Sequence, residues 1–242
     1  MEKFPHWVDH ILAFIFCIAL PVYSAWQHSR YPAGRQYSSA EKKQIYISAS
    51  FSLFILGIIV MVEWILFKRP LAEVGFTQPT GFSSWWWFVL LFWTLYFTDT
   101  LISITQREKL DKTIDNWKKN TPFMPTNKKE LPHYFLMCFS AGVFEEIIYR
   151  GFLITWCWYM LSGSQYQEAL SIIIPGAVFS VAHYYQGKKA VVKIFVLSLL
   201  FGFIYSRSGS LLIVMLIHFL VDAIGGLLTV RFLKEVEPTT PT

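Results

Sequence analysis

Charge is scarce in this chain. Asp, Glu, Lys and Arg make up only 15% of its 242 residues, against about 25% in an ordinary soluble domain, so almost no sequence is left to build one. Cysteine is scarce too. Cys17, Cys138 and Cys157 all lie in apolar runs, with no CxxC and no Cys/His metal spacing. That excludes a disulfide framework and a zinc finger, and the three thiols read as small buried hydrophobes. No HExxH pair occurs. A cleavable signal peptide is not expected, because the first apolar run has few positive charges before it and no clear small-residue cleavage site. The net charge of +5 does not point to nucleic acid, since the basic residues sit in short loops beside apolar runs, as cytoplasmic flanks do.

Apolar residues are abundant. The chain is 54% hydrophobic and 18% aromatic, with mean hydropathy +0.42. A helix needs about 20 mostly apolar residues to cross a bilayer. Seven candidate spans follow, at 7–26, 45–67, 85–104, 134–160, 169–185, 190–205 and 211–230. The fold class is therefore all-α, a polytopic membrane helical bundle of about seven transmembrane helices, or eight if the long fourth segment divides. Residues 1–132 hold the three N-terminal spans and a cytoplasmic loop, 133–232 a helical core, and 233–242 a polar tail. The three tryptophans Trp85–Trp87 read as an interfacial belt. Residues 68–76 read as a short amphipathic interfacial segment ended by Gly75. The polar segment 105–132, with seven Lys/Arg and four Asp/Glu, reads as a solvated surface helix plus a Pro-containing linker.

Basic residues orient the bundle. With seven spans, Lys3, Lys68, Arg69 and Arg207 fall on one side, and sixteen others fall opposite, including Arg30, Lys42, Lys43, the seven of 105–132, Lys188 and Lys234. The positive-inside rule puts that second side in the cytoplasm, with the N-terminus outside and the C-terminus cytoplasmic. An integral protein of the cell (inner) membrane is expected, with the lipid bilayer as a partner and no nucleic acid.

Few ionisable residues lie within the spans, and at membrane depth they normally face protein or a wet cavity. Asp9 and His10 sit near a span end, and Glu63 and Asp99, near the ends of theirs, read as interfacial. The rest form three clusters. Glu146 and Arg150 are four apart, share a helix face and pair. Glu145 is rotated by about 100° from Glu146 and points elsewhere. A desolvated carboxylate beside a second negative charge suits taking a proton from water, and Gly142, one turn earlier, leaves room for water or substrate. Phe179 and His183 are one turn apart, after a Pro175-Gly176 pair. His218 and Asp222 are also four apart, so the carboxylate is placed to fix the imidazole tautomer. Each cluster alone also has a structural reading, as helix packing or local hydrogen bonding. Together, three apolar helices carrying polar groups are relieved by meeting around water.

Glu-Glu-x-x-x-Arg at 145–150, Phe-x-x-x-His at 179–183 and His-x-x-x-Asp at 218–222 resemble, in order, the three motifs of the CAAX protease and bacteriocin-processing (CPBP, or Abi) intramembrane protease family, which includes the type II CAAX prenyl endopeptidases and lysostaphin-resistance-protein-A-like proteins. Gly202 and Gly209-Ser210-Leu211 are similar as well. The resemblance covers about 130–230. It implies that Glu145 activates the attacking water with His183 assisting, that Glu146 and Arg150 support the site and position substrate, with Phe179 beside them, and that His218 stabilises the oxyanion. Many members carry Asn where this chain has Asp222. An ionised Asp cannot donate to an oxyanion, so orienting His218 or binding a metal is the role left to it.

A metal-free glutamate mechanism is favoured over a divalent metal such as zinc, for which Glu145, His183 and His218 would be the ligands. The expected function is an intramembrane endopeptidase acting on a membrane-associated peptide or protein, in a CAAX-type or a peptide-processing or immunity role. The alternatives are a non-catalytic scaffold of the same fold and a proton-coupled transporter, though no inverted repeat supports transport.

Overall fold

The computed structural model describes residues 4–30 and 35–233; Lys3, Lys234 and the tail expected after 233 lie outside the described residues. Among those residues there are eight helices and no strand. They are α1 (7–30), α2 (Ser39–Leu66), α3 (Phe82–Thr105), α4 (Arg107–Asn120), α5 (131–160), α6 (Gln167–Ala182), α7 (Lys188–Ser208) and α8 (Leu211–Phe232). The protein is an all-α polytopic helical bundle. Five helices are long and apolar enough to cross a membrane: Trp7–Trp26 of α1, α2, Ser84–Thr105 of α3, α7 and α8. The long fourth segment does not divide; α5 runs from 131 to 160 without a break.

α5 is the central helix. α2, α6, α7 and α8 all pack on it, as does a short 3₁₀ turn at Leu71–Val74. Every residue of Ile147–Ile154 is buried, which is the pattern of a helix covered on all sides. By contrast Phe51, Ile55, Val62 and Leu66 of α2 and Trp87, Leu91 and Leu95 of α3 are exposed. Water disfavours such faces and lipid does not, as an integral membrane protein requires. Trp85 departs from the expected belt. It is buried, and its indole donates to the carbonyl of Thr80 at 2.9 Å.

Two close approaches fix how α5 sits. At Gly142 a Cβ would lie 3.0 Å from both the Met215 carbonyl oxygen and the Phe219 nitrogen of α8. The room expected beside Gly142 for water is thus filled by the α8 backbone. The second is at Gly57 of α2, which admits the Phe144 ring. Two stretches of α5, Ala141–Glu145 and Ile147–Ile154, are wound as wide π-helical turns, a feature frequent at functional sites.

The expectations for Asp9, Glu63 and Arg69 are corrected. They are not separate groups near span ends but one buried cluster. Arg69 donates to both carboxylate oxygens of Asp9, at 2.8 and 2.9 Å, and to Glu63 at 2.9 Å. The guanidinium lies against the rings of Phe4, Trp64 and Phe67. The 3₁₀ turn, ended by Gly75 at φ 86°, follows directly on this arginine. Lys42 is likewise buried. It reaches Thr126 at 3.1 Å and Glu130 at 3.3 Å, which ties the linker after α4 to the start of α2.

Candidate active site

The site lies where α5, α6, α7 and α8 meet. Glu146 is fully buried. Its Oε1 accepts from Arg150 Nη1 at 2.8 Å, one turn along α5, and lies 2.7 Å from His218 Nδ1 on α8. The paired carboxylate accepts, so Nδ1 carries the hydrogen and Nε2 looks the other way. There it faces Asp222 Oδ2 at 3.5 Å and Glu145 Oε2 at 3.7 Å. One imidazole thus has three carboxylates around it, one behind and two in front.

This arrangement corrects one expectation. The residue that fixes the His218 tautomer is Glu146 from α5, not Asp222 one turn away on α8. A helix wheel brings positions 218 and 222 to one face, but it says nothing of a carboxylate arriving from another helix. Asp222 is instead the open side of the site, with 36% of its side chain exposed, against 17% for Glu145 and 10% for His218.

Arg150 is buried on every side. Its Nη2 donates to Ser198 Oγ of α7 at 2.7 Å. Its guanidinium lies 4.7 Å from the Phe179 ring of α6 and 5.1 Å from the Phe201 ring of α7. Both rings also meet the imidazole of His218 edge to face, at 6.1 and 5.9 Å. Ser198 and Phe201 were not among the sequence candidates. They carry no motif of their own, and only the packing of α7 on α5 brings them to the site.

His183 stands just past the end of α6, not on a helix face as the spacing had it. Its Nδ1 lies 2.8 Å from the Phe179 carbonyl. A carbonyl can only accept, so Nδ1 carries the hydrogen, and in the neutral ring Nε2 keeps a free lone pair. The contact also satisfies one of the carbonyls left open at the helix end. The His183 ring lies tilted against Phe179, with centroids 4.5 Å apart, and Phe179 in turn meets Tyr149 at 4.9 Å. The residues at 145, 146, 150, 179, 183, 218 and 222 therefore gather around the Phe179 ring and the His218 imidazole.

The set Glu145, His183 and His218 does not stand in ligand geometry. Among the described residues no group of three His, Cys, Asp or Glu side chains is placed to hold a metal ion.

Carboxylates, histidines and one buried arginine thus meet inside the helical bundle. Residues 127–224, which span all of these side chains, match the family described as Type II CAAX prenyl endopeptidase Rce1-like. That segment is thus similar to the CPBP family of CAAX proteases, whose general class is the CAAX-type intramembrane endopeptidase. No curated protein and no solved structure gives a comparable match.

Proposed function

We propose that the protein hydrolyses a peptide bond of a membrane-associated substrate, with Glu145 as the base that activates water. The observation that carries this reading is the pair Glu145 and Asp222 in front of His218 Nε2, with Glu146 and Arg150 fixed behind the ring. Glu145 takes a proton from water, and the hydroxide adds to the scissile carbonyl carbon. The proton passes to the leaving nitrogen as the C–N bond breaks, giving a carboxylate and an amine. As the imidazolium, with a hydrogen on each ring nitrogen, His218 keeps Nδ1–H on Glu146 and turns Nε2–H toward the oxyanion of the tetrahedral intermediate. His183 assists through its free Nε2. Asp222, the most exposed of these carboxylates, borders the route by which substrate arrives. The match to a prenyl endopeptidase family supports a peptide ending in a prenylated CAAX sequence as the first substrate to try. The orientation read from the basic residues puts the C-terminus in the cytoplasm.

The test is cleavage of a fluorescence-quenched peptide ending in S-prenylated Cys-aliphatic-aliphatic-X, by wild type and Glu145→Gln, with and without a chelator. Cleavage by wild type alone, unaffected by the chelator, is expected. Equal cleavage by both proteins overturns the reading. Loss on chelation that zinc restores overturns the direct glutamate mechanism but not the endopeptidase.

A further inference from the structure

The polar chain behind His218 does not end at Arg150. Three buried bonds run in series across three helices: His218 Nδ1 to Glu146 Oε1 at 2.7 Å, Arg150 Nη1 to the same oxygen at 2.8 Å, and Arg150 Nη2 to Ser198 Oγ at 2.7 Å. Glu146, Arg150 and Ser198 are all closed off from solvent. The other oxygen, Glu146 Oε2, is buried with no hydrogen-bond partner in the structure, so Oε1 alone carries both contacts. The guanidinium carbon lies over the rings of Phe179 and Phe201, which offer it no hydrogen bond. Besides Glu146, the Ser198 hydroxyl is the hydrogen-bond partner that anchors the guanidinium, and it does so from a different helix.

We propose that Ser198 is a positioning residue of the site: it gives Arg150 a second hydrogen-bonded anchor, and Arg150 so held keeps Glu146 Oε1 against Nδ1 and Nε2 of His218 aimed at Glu145 and Asp222. Ser198 touches no substrate. Its effect on a reaction is transmitted through Arg150 and Glu146, and this part of the inference rests on the endopeptidase reading above.

Ser198→Ala removes one oxygen and adds no bulk. In the prenyl-peptide assay kcat is expected to fall about tenfold, the scale of losses when a supporting hydrogen bond of a site is removed, while KM stays within about twofold. Ser198→Thr, which keeps the hydroxyl, is expected to recover most of the loss. In an Arg150→Lys background, where the fork is already gone, Ser198→Ala is expected to cost nothing more, which is the non-additivity of two groups acting in series. A wild-type kcat for Ser198→Ala, or equal losses in both backgrounds, overturns the inference.

A second readout is independent of turnover. In ¹⁵N-histidine NMR of the full chain in nanodiscs, the Nδ1–H of His218 is expected to shift or broaden in Ser198→Ala and to return in Ser198→Thr. An unchanged resonance overturns the inference even if no peptide is cleaved. Should Ser198→Ala fail to accumulate folded, Ser198→Thr is compared with Ser198→Val, which matches it in size but lacks the hydroxyl; equal spectra and equal kcat for that pair count against Ser198. A wild type that cleaves nothing, with the Nδ1 resonance still responding to position 198, sinks the endopeptidase reading and leaves the positioning role standing.

Discussion

Glu146 Oε1 lies 2.7 Å from His218 Nδ1, and this contact between α5 and α8 decides which face of the imidazole is available. With Nδ1 committed to Glu146, only Nε2 looks toward Glu145 and Asp222. Glu146→Gln removes the charge that balances Arg150 and the acceptor that fixes the ring. Turnover is expected to drop about 10- to 100-fold. Leaving the arginine buried without its partner is expected to cost about 3–5 kcal/mol of stability. Asp222→Asn, in front of the ring and partly exposed, is expected to stay within about fivefold of wild type. Initial rates and thermal unfolding of the two purified variants check the order. A larger loss at 222 than at 146 would restore Asp222 as the orienting carboxylate.

Arg69 tests whether the second charged cluster is structural. Arg69→Met leaves Asp9 and Glu63 buried with no cation. A loss of about 3–5 kcal/mol is expected, since removing one member of a buried ion cluster strands the others. Turnover per folded molecule is expected to be unchanged, because no Arg69 contact reaches the site. Thermal unfolding in detergent and active-site-normalised rates separate the two effects.

Gly142 tests the approach of α5 to α8. Alanine is favoured over glycine inside a helix by about 1 kcal/mol. Here its Cβ would press on two backbone atoms of α8 at 3.0 Å, and backbone cannot rotate out of the way. Gly142→Ala is expected to separate the helices by a few tenths of an ångström, lengthen the Glu146–His218 bond and lower kcat more than stability. A variant more stable and as active as wild type would show that α8 gives way freely.

Glu130 carries a pH dependence outside the membrane. Burial pushes its carboxyl up, but the Ser39 hydroxyl, the Thr126 N–H and Lys42 together outweigh burial and hold it below the usual carboxyl value. A carboxyl depressed in the folded state contributes stability at pH above its unfolded value, and that contribution is lost as pH falls through the folded value. Wild type is therefore expected to lose more stability on acidification below about pH 4.5 than Glu130→Gln does. Parallel stability–pH curves for the two proteins would remove Glu130 from the linker's anchor.

Local spacing carried part of this architecture and no more. The helices were legible because apolar runs of spanning length are unmistakable, and the Glu146–Arg150 pair because both ends lie on one helix. Contacts between helices were not. The partner of His218 Nδ1 comes from 72 positions away, and the nearer carboxylate of Asp222 is set against Nε2 instead. Arg69 read as a flank because it follows a span, yet it turns inward beside Trp64 to meet Asp9 of the first helix. His183 read as a helix-face residue, but α6 ends one position before it. Ser198 looked like any small residue of an apolar span until α7 was packed on α5.

The role of Glu145 is the claim on which the site reading stands, and the single-turnover cleavage rate of Glu145→Gln, measured beside its folded fraction, tests it most directly. A correctly folded variant that binds the prenyl-peptide probe and leaves it uncleaved is the expected result. A folded variant that cleaves at the wild-type rate would contradict it, and the water-activating base would have to be sought elsewhere in the bundle.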